Sequence, residues 1–207
     1  MALPVVHLIT DRTLEPDPAR RAAAALAGFP PGRVAVHLRE KDLGGAALLA
    51  LARTLAAACH GRGQLLLVND RLDVALAAGA DGVHLPSSGV PPADARRLLG
   101  AAAVVGVSCH SADDVRRARD GGATFATFGP VYDTPSKRPY GSPVGLAALR
   151  DAASLGLPLV ALGGVTPARV PEVLAAGASG VAAIRAWLAA PDPAAAIRAL
   201  GALLPGA

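Results

Sequence analysis

Aromatic residues are scarce in this 207-residue chain, which has three Phe, two Tyr and one Trp. Proteins that hold single-stranded nucleic acid stack bases on such rings, and the net charge of +4 is spread thinly along the chain. Neither the stacking platform nor the basic stripe of a nucleic-acid binder is therefore present. Cys59 and Cys109 stand alone at no metal-ligand spacing, are too few for a disulfide framework, and read as two reduced, buried thiols. No segment reaches the roughly 18 consecutive strongly apolar residues that a bilayer span needs. The start MALPVVHLITDR also lacks a basic region followed by a cleavable apolar core. The expectation is a soluble, cytoplasmic protein with neither a membrane nor a nucleic-acid partner. Lysine is nearly missing as well: of twenty basic residues, only Lys41 and Lys137 are Lys. A Lys in so Arg-rich a chain stands out, because a compact ammonium with rotatable donors does what a planar guanidinium cannot.

What is present is apolar. With 52% apolar and 17% charged residues, the chain can bury enough surface to offset its ordering entropy. Short β-rich runs alternate with Ala/Leu/Arg stretches of helical period. Strands are expected over Val5–Ile9, Val34–Leu38, Leu65–Val68, Gly82–Leu85, Val104–Val107, Thr124–Phe128, Leu159–Leu162 and Gly180–Ile184. Helices are expected over Pro18–Ala27, Ala46–His60, Arg71–Ala78, Pro92–Leu99, Ser111–Asp120, Gly145–Leu155, Pro167–Ala176 and Pro193–Leu203. Ala-Gly-Ala-Asp-Gly-Val at 78–83 recurs as Ala-Gly-Ala-Ser-Gly-Val at 176–181, each copy placing Gly just past a helix and a strand straight after it. Gly79, Gly122 and Gly177 can thus supply left-handed helix ends. Asn69 or Asp70, Ser111, and Thr166 with Pro167 at N1 are the expected helix starts. Eight equally spaced βα units without a linker predict one α/β domain over residues 1–207, a single (β/α)8 TIM barrel, with a doubly wound sheet as the structural alternative.

In such a barrel the active site lies at the carboxyl ends of the strands. Strand two ends His37-Leu-Arg39-Glu-Lys41, where period-two alternation sends His37 and Arg39 to one side and leaves Lys41 at the lip, a pair of cations suited to phosphate or pyrophosphate. Strand three ends Asn69-Asp70-Arg71, and strand five ends Ser108-Cys109-His110-Ser111, with His110 sharing the parity of Ser108. Four of the five His residues, His7, His37, His84 and His110, lie on or beside expected strands, and if two of them point at one pocket, a neutral imidazole near its working pH is available for proton transfer. The loop at 129–144 carries Lys137 and reads as a lid over an anion. Gly163-Gly164 and Ile184-Arg185 match the phosphate cradle that barrels build from their last two loops.

Taken in order, these strand ends resemble the thiamine-phosphate synthase and thiazole tautomerase (TenI) superfamily. The matching segments are Ile9-Thr-Asp11, Leu38-Arg-Glu-Lys41, Val68-Asn-Asp-Arg-Leu-Asp-Val-Ala-Leu-Ala77, Gly79-Ala-Asp-Gly-Val-His-Leu85, Gly106-Val-Ser-Cys-His-Ser111, Gly129-Pro-Val-Tyr132, Thr134-Pro-Ser-Lys137 and Leu162-Gly-Gly-Val-Thr-Pro167. Synthases join a pyrimidine methyl pyrophosphate to thiazole phosphate with Mg²⁺, and the resemblance places pyrophosphate on Arg39, Lys41, Asn69 and Lys137, with metal on Asp70. The chain departs from synthases in two places. Where they continue Gly-Gln-Glu-Asp after strand four, this chain has Pro86-Ser-Ser-Gly89, without the second metal-binding acid, and His37 replaces their usual Gln. These departures point to the tautomerase branch, which uses no metal and aromatises a thiazole carboxylate phosphate with a His at the position of His110. The expectation is therefore a cofactor-free tautomerase with His110 as proton carrier. Its thiazole phosphate is held through Gly164, Ile184 and Arg185, and its carboxylate lies near Arg39 or Lys41. The alternatives are a Mg²⁺-dependent synthase using Asp70, and a non-catalytic barrel that binds thiamine-pathway ligands. Homo-oligomerisation is left open.

Overall fold

Period-two alternation in runs that are apolar on both faces is what a parallel strand needs when it is covered on one side by helices and packed on the other inside a barrel. The computed structural model, which describes residues 3–27, 29–134 and 142–204, is such a barrel: a single (β/α)8 TIM barrel. Its strands are β1 (Val6–Ile9), β2 (Val34–Leu38), β3 (Leu65–Asn69), β4 (Gly82–Leu85), β5 (Val104–Cys109), β6 (Phe125–Phe128), β7 (Leu159–Ala161) and β8 (Gly180–Ala183). They pair in sequence order, all parallel, and β1 closes on β8. One parity, including Ile9, Ala35, Leu67, Val104, Phe125, Val160 and Ala182, forms a small inner core. The other, including Val6, Leu8, Val36, Leu38, Leu66 and Val68, joins the larger core beneath the helices. Both thiols are buried and free, as expected.

The helices are α1 (Pro18–Ala25), α2 (Gly45–His60), α3 (Leu72–Ala78), α4 (Pro92–Leu99), α5 (Ala112–Asp120), α6 (Gly145–Ala153), α7 (Val170–Ala175), α8 (Arg185–Leu188) and α9 (Pro193–Gly201). Gly79, Gly122 and Gly177 take the left-handed conformation expected of them, with φ of 66°, 81° and 94°. Ser111 caps α5 by accepting from the Asp114 amide at 3.1 Å.

Two expectations are corrected, and one helix is added to those expected. The seventh helix begins as a 3-10 turn over Pro167–Arg169, and α7 follows at Val170; Pro171 has no N–H to give the Pro167 carbonyl, so a regular ladder cannot run through it. Neither Asn69 nor Asp70 caps α3, whose first turn has Arg71 at its head and no side-chain cap. The one-turn helix α8 went unread; it buries Trp187, whose Nε1 donates to the Ile9 carbonyl at 3.2 Å and ties the strand-eight loop to β1. Among the described residues no helix is long and apolar enough to cross a membrane.

Candidate active site

The carboxyl ends of the strands surround a cavity of about 280 Å³. His37, Arg39, Lys41, Asn69, Asp70, Ser108, His110 and Ile184 all line it, so parity and barrel geometry bring together the polar strand ends of β2, β3 and β5 as the sequence implied. Gly164 and Arg185 do not line it; their neighbours Gly163 and Ile184 do. Lys137, with the rest of 135–141 in the expected lid, lies outside the described residues. Arg71 also turns away, its guanidinium paired with Asp73 at 2.8 and 2.6 Å on the outer surface.

On the β2 side, alternation separates the roles of three consecutive charged residues. Arg39 and Lys41 face the cavity. Between them Glu40 is buried, and its Oε2 accepts the Arg12 amide at 3.0 Å, which fastens the loop after β1 beside them. The Arg39 amide donates to Thr10 Oγ1 at 3.0 Å, fixing the strand end from which its side chain departs. At the end of β3, Asp70 is the only described non-glycine residue with positive φ, 64°. Holding it there costs on the order of 1 kcal/mol or more, and such outliers persist where the surrounding structure requires them. Here the twist leaves an exposed carboxylate on the cavity rim beside Asn69.

On the opposite side, His110 Nδ1 lies in a very short contact with the Gly129 carbonyl. A carbonyl can only accept, so Nδ1 carries a proton and Nε2 is the ring nitrogen left free of it. The cavity floor and the layer beneath it are more unusual. His7, His37 and His84 are buried inside the barrel, and His37 lies 5.0 Å in ring centroids from each of the other two. His84 Nε2 meets Thr127 Oγ1 at 3.0 Å. Gly106 makes room for this layer, since a Cβ there would come within 2.4 Å of the Phe125 ring and 2.9 Å of His84. Burial pushes His7 down to about 4 and His84 to about 3, and it drives His37 well below its ordinary value, with its two imidazole neighbours adding to the effect. These three are therefore neutral near pH 7, and the expected poising of a strand imidazole close to neutrality does not hold for them. Thr127 was missed by the sequence reading, although an inward polar residue at the parity of Phe125 is its signal.

Beyond the cavity wall, Gly163 and Gly164 both have positive φ, 93° and 67°. The Gly164 carbonyl accepts from Arg169 at 2.8 Å, and that guanidinium covers the Tyr132 ring at 4.2 Å. The turn after β7 is thus braced from outside by a residue that no strand-end motif included.

Comparison with known proteins bears on this geometry. The family described as thiamine monophosphate synthase matches residues 6–187. A putative thiamine-phosphate synthase of Geobacter sulfurreducens is 50% identical over 202 residues, 97% of this chain and 94% of its own. A thiamine-phosphate synthase of Roseiflexus sp. is 40% identical over 206 residues, 98% of this chain and 86% of its own. Among solved structures, a thiamine phosphate pyrophosphorylase from Pyrococcus furiosus superposes with a TM-score of 0.85 at 31% identity, covering 96% of this chain and 94% of that one. These similarities overturn the tautomerase expectation. It rested on the missing acid in Pro86-Ser-Ser-Gly89 and on His37 in place of Gln, and the inference from the acid was too strong, because Mg²⁺ is commonly bound through only one or two carboxylates plus substrate phosphates and water.

Proposed function

This chain belongs to the thiamine monophosphate synthase family, and from that membership we propose that it is a thiamine-phosphate synthase, a transferase joining hydroxymethylpyrimidine pyrophosphate to thiazole phosphate. The bond from the pyrimidine methylene carbon to the pyrophosphate oxygen breaks, the thiazole nitrogen bonds to that carbon, and pyrophosphate leaves with the electron pair. The observation that carries the reading is the convergence of Arg39, Lys41, Asn69 and Asp70 on one side of the cavity rim. Two cations and an amide suit the oxygens of a pyrophosphate, Arg39 through its planar fork and Lys41 as a mobile point charge.

The donor set is one that would hold Mg²⁺ together with substrate phosphate oxygens. Asp70 offers one hard carboxylate, and among the described residues no group of three or more His, Cys, Asp or Glu could hold an ion alone. Affinity for the ion therefore depends on the pyrophosphate arriving with it. When bound, Mg²⁺ would neutralise charge on the departing pyrophosphate. Arg39 and Lys41 bind and orient the same group, while the Gly163 turn and the strand-eight loop at Ile184 form the wall that receives the second substrate's phosphate. Ser108 on β5 and His110 just past its end offer that substrate a hydroxyl and a ring nitrogen. The test is incubation with both substrates, with and without Mg²⁺, following pyrophosphate and thiamine phosphate together. Mg²⁺-dependent, equimolar formation of the two is expected; no pyrophosphate release in millimolar Mg²⁺ would overturn the reading.

A further inference from the structure

Beneath the cavity floor lies a hydrogen-bond chain whose direction is set by one main-chain carbonyl. His7 Nε2 lies 3.1 Å from the Pro4 carbonyl, and His7 Nδ1 lies 2.8 Å from His37 Nε2. The carbonyl can only accept, so the proton of the neutral His7 ring is on Nε2 and Nδ1 is bare. His37 Nε2 must then donate, and His37 Nδ1 carries only a lone pair. Among the described residues nothing donates to that atom, although His37 is 1% exposed and lines the cavity. In the β1–β2 register His7 pairs with Ala35 and Ile9 with His37, so His7 sits one inward layer below the floor. It does not line the cavity, and it reaches the cavity only through His37.

We propose that His7 is a positioning residue: it locks the ring orientation and tautomer of His37 so that Nδ1 is a standing hydrogen-bond acceptor for an N–H of the substrate ring. This rests on the synthase reading, under which the ring entering the floor is an aminopyrimidine with an exocyclic amine to donate. An acceptor on the cavity lining that no described residue pairs favours a ligand bearing the missing donor and penalises one that lacks it. Burial keeps His7 and His37 neutral over the ordinary pH range, so the polarity of the chain does not reverse near pH 7.

Two substitutions at one position separate this role from packing. His7→Asn keeps an acceptor near the place of Nδ1 and gives up the Pro4 bond; His7→Gln can keep the Pro4 bond and withdraws the acceptor from His37. Long-range ¹H–¹⁵N spectra of the imidazoles, taken without substrate, should show His37 protonated at Nε2 in the unsubstituted protein and in His7→Asn. In His7→Gln the His37 pattern should change. In kinetics, His7→Gln should raise KM for the aminopyrimidine pyrophosphate by roughly 10-fold. It should leave KM for thiazole phosphate within a few-fold and cut the preference over a deaminated pyrimidine analogue by a similar factor. His7→Asn should restore most of both. A His37 ring protonated at Nδ1 in the unsubstituted protein would overturn the proposal even if no synthase activity were found. So would a His7→Gln protein that discriminates as well as His7→Asn. An active, Mg²⁺-dependent enzyme with either result would leave the synthase reading standing while this one fell.

Discussion

At the scale of single residues, the site works by giving neighbours of opposite parity different tasks. Arg39 and Lys41 face the cavity, whereas Glu40 between them holds the adjacent loop. Arg39→Lys should therefore raise KM for the pyrophosphate substrate by roughly 10-fold, because a single ammonium cannot reproduce a bidentate fork. Lys41→Ala should do so by a similar factor, with a reduced salt dependence of KM in the variant. Unchanged kinetics in both would mean that the pyrophosphate binds elsewhere. Asp70→Asn tests the carboxylate itself: the amide keeps the size and loses the charge, so the Mg²⁺ concentration for half-maximal turnover should rise by about 10-fold or more. An Asp70→Asn enzyme with an unaltered Mg²⁺ titration would remove Asp70 from the ion's surroundings. The polar character of these positions was legible in the sequence because each closes a strand. The left-handed backbone of Asp70 was not, since the capping habit of Asn and Asp before a helix is the commoner use of such residues.

At the scale of elements, the strands carry the site and the turns set its depth. Gly106 on β5 lies opposite Phe125 in the β5–β6 register and His84 in the β4–β5 register, and both rings occupy the space its side chain would need. Gly106→Ala should destabilise the protein by about 1–3 kcal/mol, the usual range for overpacking a filled interior. It should also disturb the floor, so that KM for the pyrimidine rises along with the loss of thermal stability. A variant with the original melting temperature would show that the layer has room to spare. Removing the cap of α5 makes a useful contrast. Ser111→Ala should cost about 1 kcal/mol and lower the melting temperature without changing either KM, because losing the bond to the Asp114 amide leaves the His110 amide its own bond to Asp114 Oδ2 at 2.9 Å. A shifted KM in that variant would show that α5 is coupled to His110. Among the described residues, the positions of the eight strands and of eight of the nine helices were legible because hydrophobic period and Gly turns repeat with each βα unit. The short α8 was not, because four residues are too few to display a period.

At the scale of the whole molecule, three imidazoles inside the barrel make folding depend on pH. His7 and His84 are held at about 4 and about 3, and His37 is also well below its ordinary value, all chiefly by burial. The unfolded chain takes up protons on these residues as pH falls below about 6.5, while the folded chain does not until near pH 4. Stability is therefore complete above about pH 6.5 and falls progressively toward pH 4. The Asp73 carboxylate, held at about 2 mainly by its bonds with Arg71, loses its contribution only below its ordinary range near 4, so the two windows separate. Melting temperature should already drop between pH 6.5 and 5; a flat profile there would mean that the histidines are protonated in the folded barrel. The sequence by itself determined the barrel, the turns after its helices and which end of its strands bears polar groups, because each follows from a local period or a single residue's backbone preference. It also showed that His7, His37 and His84 lie on strands. Only the tertiary structure decided that they meet, since the stagger between neighbouring strands sets the layer each inward residue occupies, and that stagger is a property of the closed sheet. For the same reason the acid missing from 86–89 misled the reading of function: what a site can hold depends on every group that closure brings to its rim, and one absent side chain in one loop does not decide it.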